Sequence, residues 1–218
     1  MQTNILGFFN LLELCRINKI KKIFYASSSS IYGDQKKYPV DENSKIEPKN
    51  IYAFSKKNNE DIAKIYHNTY GLNSIGLRFF TVYGEWGRPD MLMIKYMIAK
   101  KNNQKFILNN NGNHLRDFTY ISDVIEILIK LFSIKIKKSE IYNICSNNPI
   151  NVNKILKKLN IIYGKPLVTN QKRLSIEVIK THGSNLKIKK KVKFKKFTSI
   201  DVGIKNLVKW AKNYLDKI

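Results

Sequence analysis

Tyr52-Ala53-Phe54-Ser55-Lys56 sets a phenol and an ammonium four residues apart. The apolar periodicity around them predicts a helix, where positions i and i+4 share a face and both groups can point into one site. An ammonium beside a phenol favours the tyrosinate and lowers its pKa towards neutrality, which makes the phenol a general base and acid. The spacing alone is common on ordinary helix surfaces, so its neighbours have to carry the argument. One neighbour is the hydroxyl cluster Ser27-Ser28-Ser29-Ser30, which follows the short apolar run 22–26 and precedes Ile31-Tyr32-Gly33. Hydroxyls at the carboxyl end of a strand can bond a substrate OH and relay its proton, and that is the edge where α/β sheets place ligands. Isolated arginines complete the set: Arg78 in Leu77-Arg78-Phe79-Phe80, Arg88 in Gly87-Arg88-Pro89-Asp90-Met91, and Arg116 in Leu115-Arg116-Asp117-Phe118. Guanidinium groups at such positions suit oxyanion or phosphate recognition. Each taken singly reads equally well as a surface ion pair.

The elements that must position these groups alternate in type. Apolar spacing predicts helices over 4–16, 50–70, 91–101, 122–132, 152–159 and 202–215. Short apolar runs predict strands over 22–27, 74–80, 106–108 and 141–144. Strands separated by helices make this an α/β chain with a parallel sheet. After residue 85 the elements shorten, with polar breaks at 109–113 and 146–151, as expected of a smaller lobe that covers a ligand. The division expected is 1–84 with a return near 118–145 for the main sheet, and 85–218 for the lobe.

Composition narrows the function classes. The chain has 218 residues, 43% hydrophobic and 26% charged, enough to bury a core without staples. Two cysteines, Cys15 and Cys145, form neither a disulfide framework nor a zinc spacing, and a reducing cytoplasm is expected. No histidine or carboxylate cluster calls for a metal, and no apolar run approaches the ~20 residues of a membrane span. The net charge of +24 raises nucleic-acid binding, but only five of the 40 basic residues are arginines. The lysines are scattered among Asn and Ile along the whole chain, with one dense run at 187–196 that reads as a solvated surface or an incidental polyanion patch. A nucleic-acid face would cluster arginine with stacking aromatics, so no specific nucleic-acid role is expected.

Six segments in order, NILGFFNLLE, YASSSSIYG, YAFSKK, GLRFFTVYGEWGRPDM, RDFTYISDV and YNICSNNPI, resemble the extended short-chain dehydrogenase/reductase family. The likeness is to its nucleotide-sugar epimerases, above all the branch acting on UDP-glucuronate. It implies a Rossmann-type doubly wound parallel sheet, here incomplete, with a smaller C-terminal α/β substrate-binding lobe. It also implies NAD as cofactor, a UDP-sugar as substrate, a homodimer through a four-helix bundle that includes the 50–70 helix, and a place in capsule or lipopolysaccharide precursor synthesis. Carried over by position, Tyr52 is the catalytic acid/base, Lys56 its partner on the nicotinamide ribose, and Ser28 the bridging hydroxyl. Asn4, Ser27 and Phe79 join Tyr52 and Lys56 at the cofactor. Ser29, Ser30, Thr81, Arg88, Arg116 and Arg173 face the substrate, with Arg116 on the diphosphate and Arg88 at the acidic end of the sugar. Dehydratases and decarboxylases of the family carry carboxylates where this chain has Ser29 and Ser30, which favours epimerisation. UDP-hexose and UDP-N-acetylhexosamine epimerases are the alternatives, as is an inactive remnant.

The sequence departs from the family in its glycines, from which no GxGxxG or GxxGxxG can be built. That turn lets the cofactor pyrophosphate reach a helix N-terminus. The expectation is that the chain corresponds to the C-terminal two-thirds of an epimerase, with an unprotected sheet edge and weak NAD binding by itself.

Overall fold

A computed structural model describes residues 1–172 and 177–215. Helix α1 (Gly7–Ile17) follows a single π-helical turn, Gln2–Leu6, so the predicted helix over 4–16 starts earlier and in a wider winding. Strand β1 (Lys22–Ser28) runs into a 3₁₀ turn, Ser29–Tyr32, whose entry Ser28 caps by accepting from the Ser30 amide at 3.2 Å. Helix α2 (Ile51–Tyr70) begins where Asn50 Oδ1 accepts from the Ala53 amide at 2.8 Å. It ends at Gly71, whose left-handed backbone lets its N–H close on His67 O.

Strands β2 (Asn73–Phe79) and β3 (Thr81–Tyr83) follow, then α3 (Leu92–Lys101), β4 (Lys105–Asn109), β5 (Leu115–Tyr120), α4 (Ile121–Phe132), β6 (Glu140–Ile144), β7 (Pro149–Asn151), α5 (Val152–Tyr163), β8 (Leu167–Gln171), α6 (Leu186–Val192) and α7 (Ile200–Tyr214). The main sheet is parallel in the order β1-β2-β6, with Ser28 level with Phe79 and Phe79 level with Ile144. The three carboxyl ends therefore finish at one edge. Among the described residues β1 is paired on one side only.

Helices cover both faces of this sheet. On one side α1 and α2 pack Phe8, Leu12, Ala63 and Tyr66 around Tyr25 of β1. On the other, α4 and α6 pack Val124, Ile127, Leu131 and Ile188 on Ile75, Leu77 and Ile144. The lysine-rich run, read as a solvated surface or an incidental polyanion patch, is partly core: Ile188 and Val192 of α6 and Phe194 beyond it are buried. A further core joins α3, α5 and α7 to β4 and β5 through Met97, Phe106, Ile155, Leu159 and Leu207. The short strands β3, β5, β7 and β8 fall in segments too brief or too polar to show a periodic signal. In α1 and α2 the apolar stripe is wider than the core can use, leaving Phe9, Phe54 and Ile65 exposed.

One buried ion pair fastens these layers beneath the carboxyl edge. Arg78 of β2 grips Glu60 of α2 with two bonds, Nε to Oε1 at 2.9 Å and Nη2 to Oε2 at 2.8 Å. Ser27 Oγ donates to the same Glu60 at 2.5 Å. Arg78 Nη1 reaches Tyr32 OH at 2.8 Å and Glu42 O at 3.0 Å, and Tyr32 OH donates to Asn143 of β6 at 2.7 Å. Burial alone would weaken the guanidinium's hold on its proton, but the Glu60 and Tyr32 contacts outweigh it and raise the Arg78 pKa. Burial pushes the Tyr32 phenol up to about 12 even with Arg78 beside it.

Two outcomes follow from this geometry. Arg78→Met strands the Glu60 carboxylate in a dry site and should cost about 3–5 kcal/mol in urea denaturation. Adding Glu60→Leu should recover much of that loss, because the unpaired charge is then gone. Gly33, which ends the 3₁₀ turn, has φ +63° and ψ −149°, and a Cβ there would lie 2.3 Å from Glu47 O. Gly33→Ala should therefore lose about 1–3 kcal/mol from the backbone alone, with the clash in addition. A circular-dichroism melt unchanged by that substitution would show that the turn relaxes freely.

Candidate active site

The Ser28 Oγ lies 2.8 Å from Ser30 Oγ at the carboxyl end of β1. Ser28 is 9% exposed, so the pair lines the edge of the sheet without standing free in solvent. Ser27 faces the other way, into Glu60, which gives it a structural bond beneath the site. Ser29 stands in the 3₁₀ turn between them, half-buried.

Tyr52 and Lys56 stand one turn apart at the start of α2. The Lys56 ammonium sits 5.9 Å from the centre of the Tyr52 ring and donates to Ala26 O at 3.0 Å. That bond ties the first turns of α2 to β1 two residues before Ser28. Partial burial lowers the Lys56 pKa. One of the three ammonium donors is used on Ala26, and two remain for a ligand. The Tyr52 ring is half-exposed. Behind it, Ser55 Oγ donates to Tyr52 O at 2.7 Å and accepts from Asn4 Nδ2 at 3.1 Å. Asn4 lies inside the π-helical turn, a winding often found at functional sites, and its amide is linked to the Tyr52 carbonyl through Ser55.

Phe79 ends β2 level with Ser28 and is half-buried against the α4 side of the sheet. Arg88 lies in the 84–91 loop, within electrostatic reach of the Tyr52 phenol. It is largely exposed and engages Asp90 at 3.0 and 2.6 Å. The exposed ion pair is the bland alternative that the sequence left open for any single arginine. Thr81 and Arg116 line a cavity of about 330 Å³ between β4, β5 and the start of α3. The Arg116 guanidinium is largely spent on main-chain carbonyls, Leu115 O at 3.0 Å, Ile179 O at 2.9 Å and Val178 O at 2.6 Å. Burial lowers its pKa, with Glu177 acting in the opposite sense. Arg173 lies outside the described residues.

The sequence reading missed part of this cavity. Lys95, Asn109, His114 and Glu177 also line it. Asn109 Nδ2 donates to Glu177 Oε1 at 2.5 Å, and His114 Nε2 stands 3.8 Å from Glu177 Oε2. These four come from three separate segments with no shared spacing. The polar break at 109–113 was the only local signal. Asp117, next to Arg116, turns away from the cavity and is fully buried. It accepts from the Ser146 amide and hydroxyl at 3.0 and 2.7 Å and from the Gly183 amide at 3.1 Å. Burial raises its pKa despite those bonds. His182 stacks on Tyr38 and bonds Asn147, away from the Tyr52 group, and burial lowers its pKa.

The arrangement can move a proton between a phenol and a substrate hydroxyl at the edge of a parallel sheet. It can also hold an elongated polar ligand in the adjoining cavity. For a dinucleotide cofactor the fit is partial: the two unused Lys56 donors and the Asn4-supported tyrosine suit its nicotinamide-ribose end. No glycine-rich turn exists among the described residues for its pyrophosphate.

Comparison with known proteins agrees with this layout. The model of the NAD dependent epimerase/dehydratase family matches residues 1–145. Protein CapI of Staphylococcus aureus is 34% identical over the whole chain, which covers 71% of that protein. UDP-glucuronate 4-epimerase 4 of Arabidopsis thaliana is 33% identical over 98% of the chain, which spans about half, 53%, of that longer protein. The crystal structure of UDP-glucuronic acid 4-epimerase from Bacillus cereus, in complex with UDP-glucuronic acid and NAD, superposes with a TM-score of 0.90 at 27% identity. That superposition covers 97% of this chain and 68% of the other. A doubly wound α/β sheet whose carboxyl edge carries the Tyr52–Lys56 pair, and a family match over two-thirds of its length, make this chain a member of the NAD dependent epimerase/dehydratase family.

Proposed function

We propose that the chain is the catalytic and substrate-binding part of an NAD-dependent UDP-sugar 4-epimerase, with UDP-glucuronate as the preferred substrate and UDP-galacturonate as the product. The observation that carries the reading is the Lys56 ammonium, held by Ala26 O beside the Tyr52 ring, with the Ser28–Ser30 hydroxyl pair two residues further along the same strand. Residues 1–84, with the return at 118–145, serve the cofactor side, and 85–218 the substrate side.

The chemistry assigned to these residues is proton handling. Tyr52, with Lys56 beside it, is the general base that takes the proton from the C4 hydroxyl, with Ser28 bridging the two oxygens. NAD, when bound, accepts and returns the hydride. The resulting 4-keto sugar turns in the site and regains its proton from Tyr52 on completion. Ser29 and Ser30 offer hydroxyls and no carboxylic acid, so the site lacks the group that would expel water from the ring. A 4-keto uronate is a β-keto acid and loses carbon dioxide if its carboxylate aligns with the carbonyl π system. Arg88 and the Ser28–Ser30 hydroxyls hold that carboxylate out of line, with Arg88 exchanging Asp90 for the substrate. Arg116, Thr81 and the cavity beside them take the nucleotide diphosphate, and Asn4 and Phe79 complete the cofactor wall together with the main chain of Ser27, whose hydroxyl is committed to Glu60.

A homodimer is supported by the exposed apolar stripes on α1 and α2, among them Phe9, Leu14, Phe54 and Ile65. A cytoplasmic location is supported by two buried free cysteines. No helix among the described residues is long and apolar enough to cross a membrane.

The test is an assay of the chain, alone and joined to the glycine-rich nucleotide-binding half that the family pattern calls for. NAD is supplied with UDP-glucuronate, UDP-glucose or UDP-N-acetylglucosamine in turn. Inversion at C4 of UDP-glucuronate alone is the expected result, and inversion of a neutral sugar alone overturns the substrate. Tyr52→Phe should lower turnover by about 10²–10⁴-fold while leaving substrate binding nearly intact. Arg88→Ala should weaken UDP-glucuronate binding far more than UDP-glucose binding, and equal losses on both would reject the carboxylate role.

A further inference from the structure

The stretch 187–196 holds seven lysines and has no part in the site above. The fold sorts them. Lys187 donates to Ile141 O at 2.8 Å and Lys191 pairs with Glu140 at 2.9 Å, both on β6. Lys189, Lys195 and Lys196 instead line a separate cavity of about 390 Å³. No ion pair with any of these three occurs among the described residues, and no carboxylate lines the cavity. Only Phe118 is shared with the cavity beside Arg116.

The wall that carries the lysines is fixed at both ends. Lys193 turns the chain in a left-handed conformation at φ +50°, which sends Phe194 into the core at 4% exposure. Phe197 packs on Phe194 with ring centres 4.7 Å apart. Thr198 then anchors to the buried Asp123 through its amide at 2.8 Å and its hydroxyl at 2.7 Å. Lys195 and Lys196 are held between these two anchor points. The facing wall is the 146–148 turn, where Asn147 adopts φ +61° and bonds His182 at 2.7 Å. Ser146 is pinned there by Asp117. Ser199, which caps α7 through the Val202 amide, forms the remaining rim. Asp201, the acidic residue of that first helical turn, pairs with Lys158 and does not line the cavity.

Three lysines on one cavity, set among hydroxyl and amide groups and with no carboxylate on the lining itself, describe a receptor for a small anion rich in oxygens. Asp117 and Asp123 stand behind the walls, each met by hydrogen bonds from the residues in front of it. Lysine acts there as a point charge for phosphate, and directional bonds come from the Ser199 hydroxyl and the Asn147 and Asn148 side-chain amides, since the Ser146 and Thr198 hydroxyls already donate to Asp117 and Asp123. The volume lies at the lower end of small-ligand sites, which fits a compact ligand. The absence of arginine and of a run of stacking aromatics argues against a nucleic-acid strand. We propose that this cavity binds a compact phosphate-bearing anion, either inorganic diphosphate or the diphosphate group of a nucleotide.

The test is a titration of the ¹⁵N-labelled chain with sodium pyrophosphate at constant ionic strength, followed by amide shifts. Shifts concentrated on Asn147, Asn148, Lys196 and residues 198–201 are expected. The triple variant Lys189→Gln/Lys195→Gln/Lys196→Gln should bind roughly tenfold more weakly or worse. A control triple with the same charge change, Lys135→Gln/Lys137→Gln/Lys138→Gln, should bind as the parent does. Equal weakening in both triples, shifts spread over the whole surface, or shifts centred on Arg116 would each overturn the proposal. Parallel titrations with ADP and with AMP separate the two sources: tighter binding of ADP at the same amides points to a nucleotide, and pyrophosphate outcompeting ADP points to the free anion.

Discussion

The Glu60–Arg78 pair is the constraint on which the rest of the structure depends. It lies almost wholly out of water, and two charges in that position stabilise a fold only when every donor and acceptor is met. Here three further groups bond the pair: Ser27 from the end of β1, Tyr32 from the turn after it, and the Glu42 carbonyl from the following loop, with Asn143 at the end of β6 reached through Tyr32. Sheet, turn and helix cannot shift independently without stranding a charge. Lys56 lies one helical turn before Glu60 and is bonded to Ala26, the residue before Ser27. The placement of the ammonium relative to the serine hydroxyls is therefore inherited from the buried pair below.

This arrangement separates rigidity from chemistry. The charges that hold the frame are sealed, while the groups assigned to chemistry sit one layer above, with Tyr52 half-exposed and Ser28 at the rim. A phenol that must exchange protons with a substrate has to remain reachable, and its backbone is steadied instead through Ser55 and Asn4. The neighbouring cavity follows the same pattern. Asp117 is buried and bonded on both oxygens, which fixes β5, and Arg116 next to it faces the ligand space.

Much of the sheet was legible from the chain. Runs such as Lys22–Ser28 and Asn73–Phe79 are continuous and apolar because both faces are covered, and that signal survives without any partner. Helix α2 was legible from its apolar spacing, and the structure shows Asn50 capping one end and Gly71 the other. Strands β3, β7 and β8 gave no such signal, since three to five residues with mixed burial cannot establish a period. The lysine run misled for a related reason: seven charges mask Ile188, Val192 and Phe194, which bury its inner face. The cavity residues Asn109, His114 and Glu177 were illegible because each is ordinary in its own segment.

The sequence by itself determined the alternation of strand and helix, the Tyr52–Lys56 spacing, and the serines that follow β1. All of these are local, set by side-chain period and by neighbours within one or two turns. Only the tertiary structure decided that Ser27 belongs to Glu60 while Ser28 belongs to Ser30, that Arg78 is sealed inside while Arg88 lies outside, and that three lysines of one run share a cavity. Adjacent residues of like type acquired opposite roles because alternate positions on a strand face opposite sides of the sheet, and what lies on each side comes from distant parts of the chain.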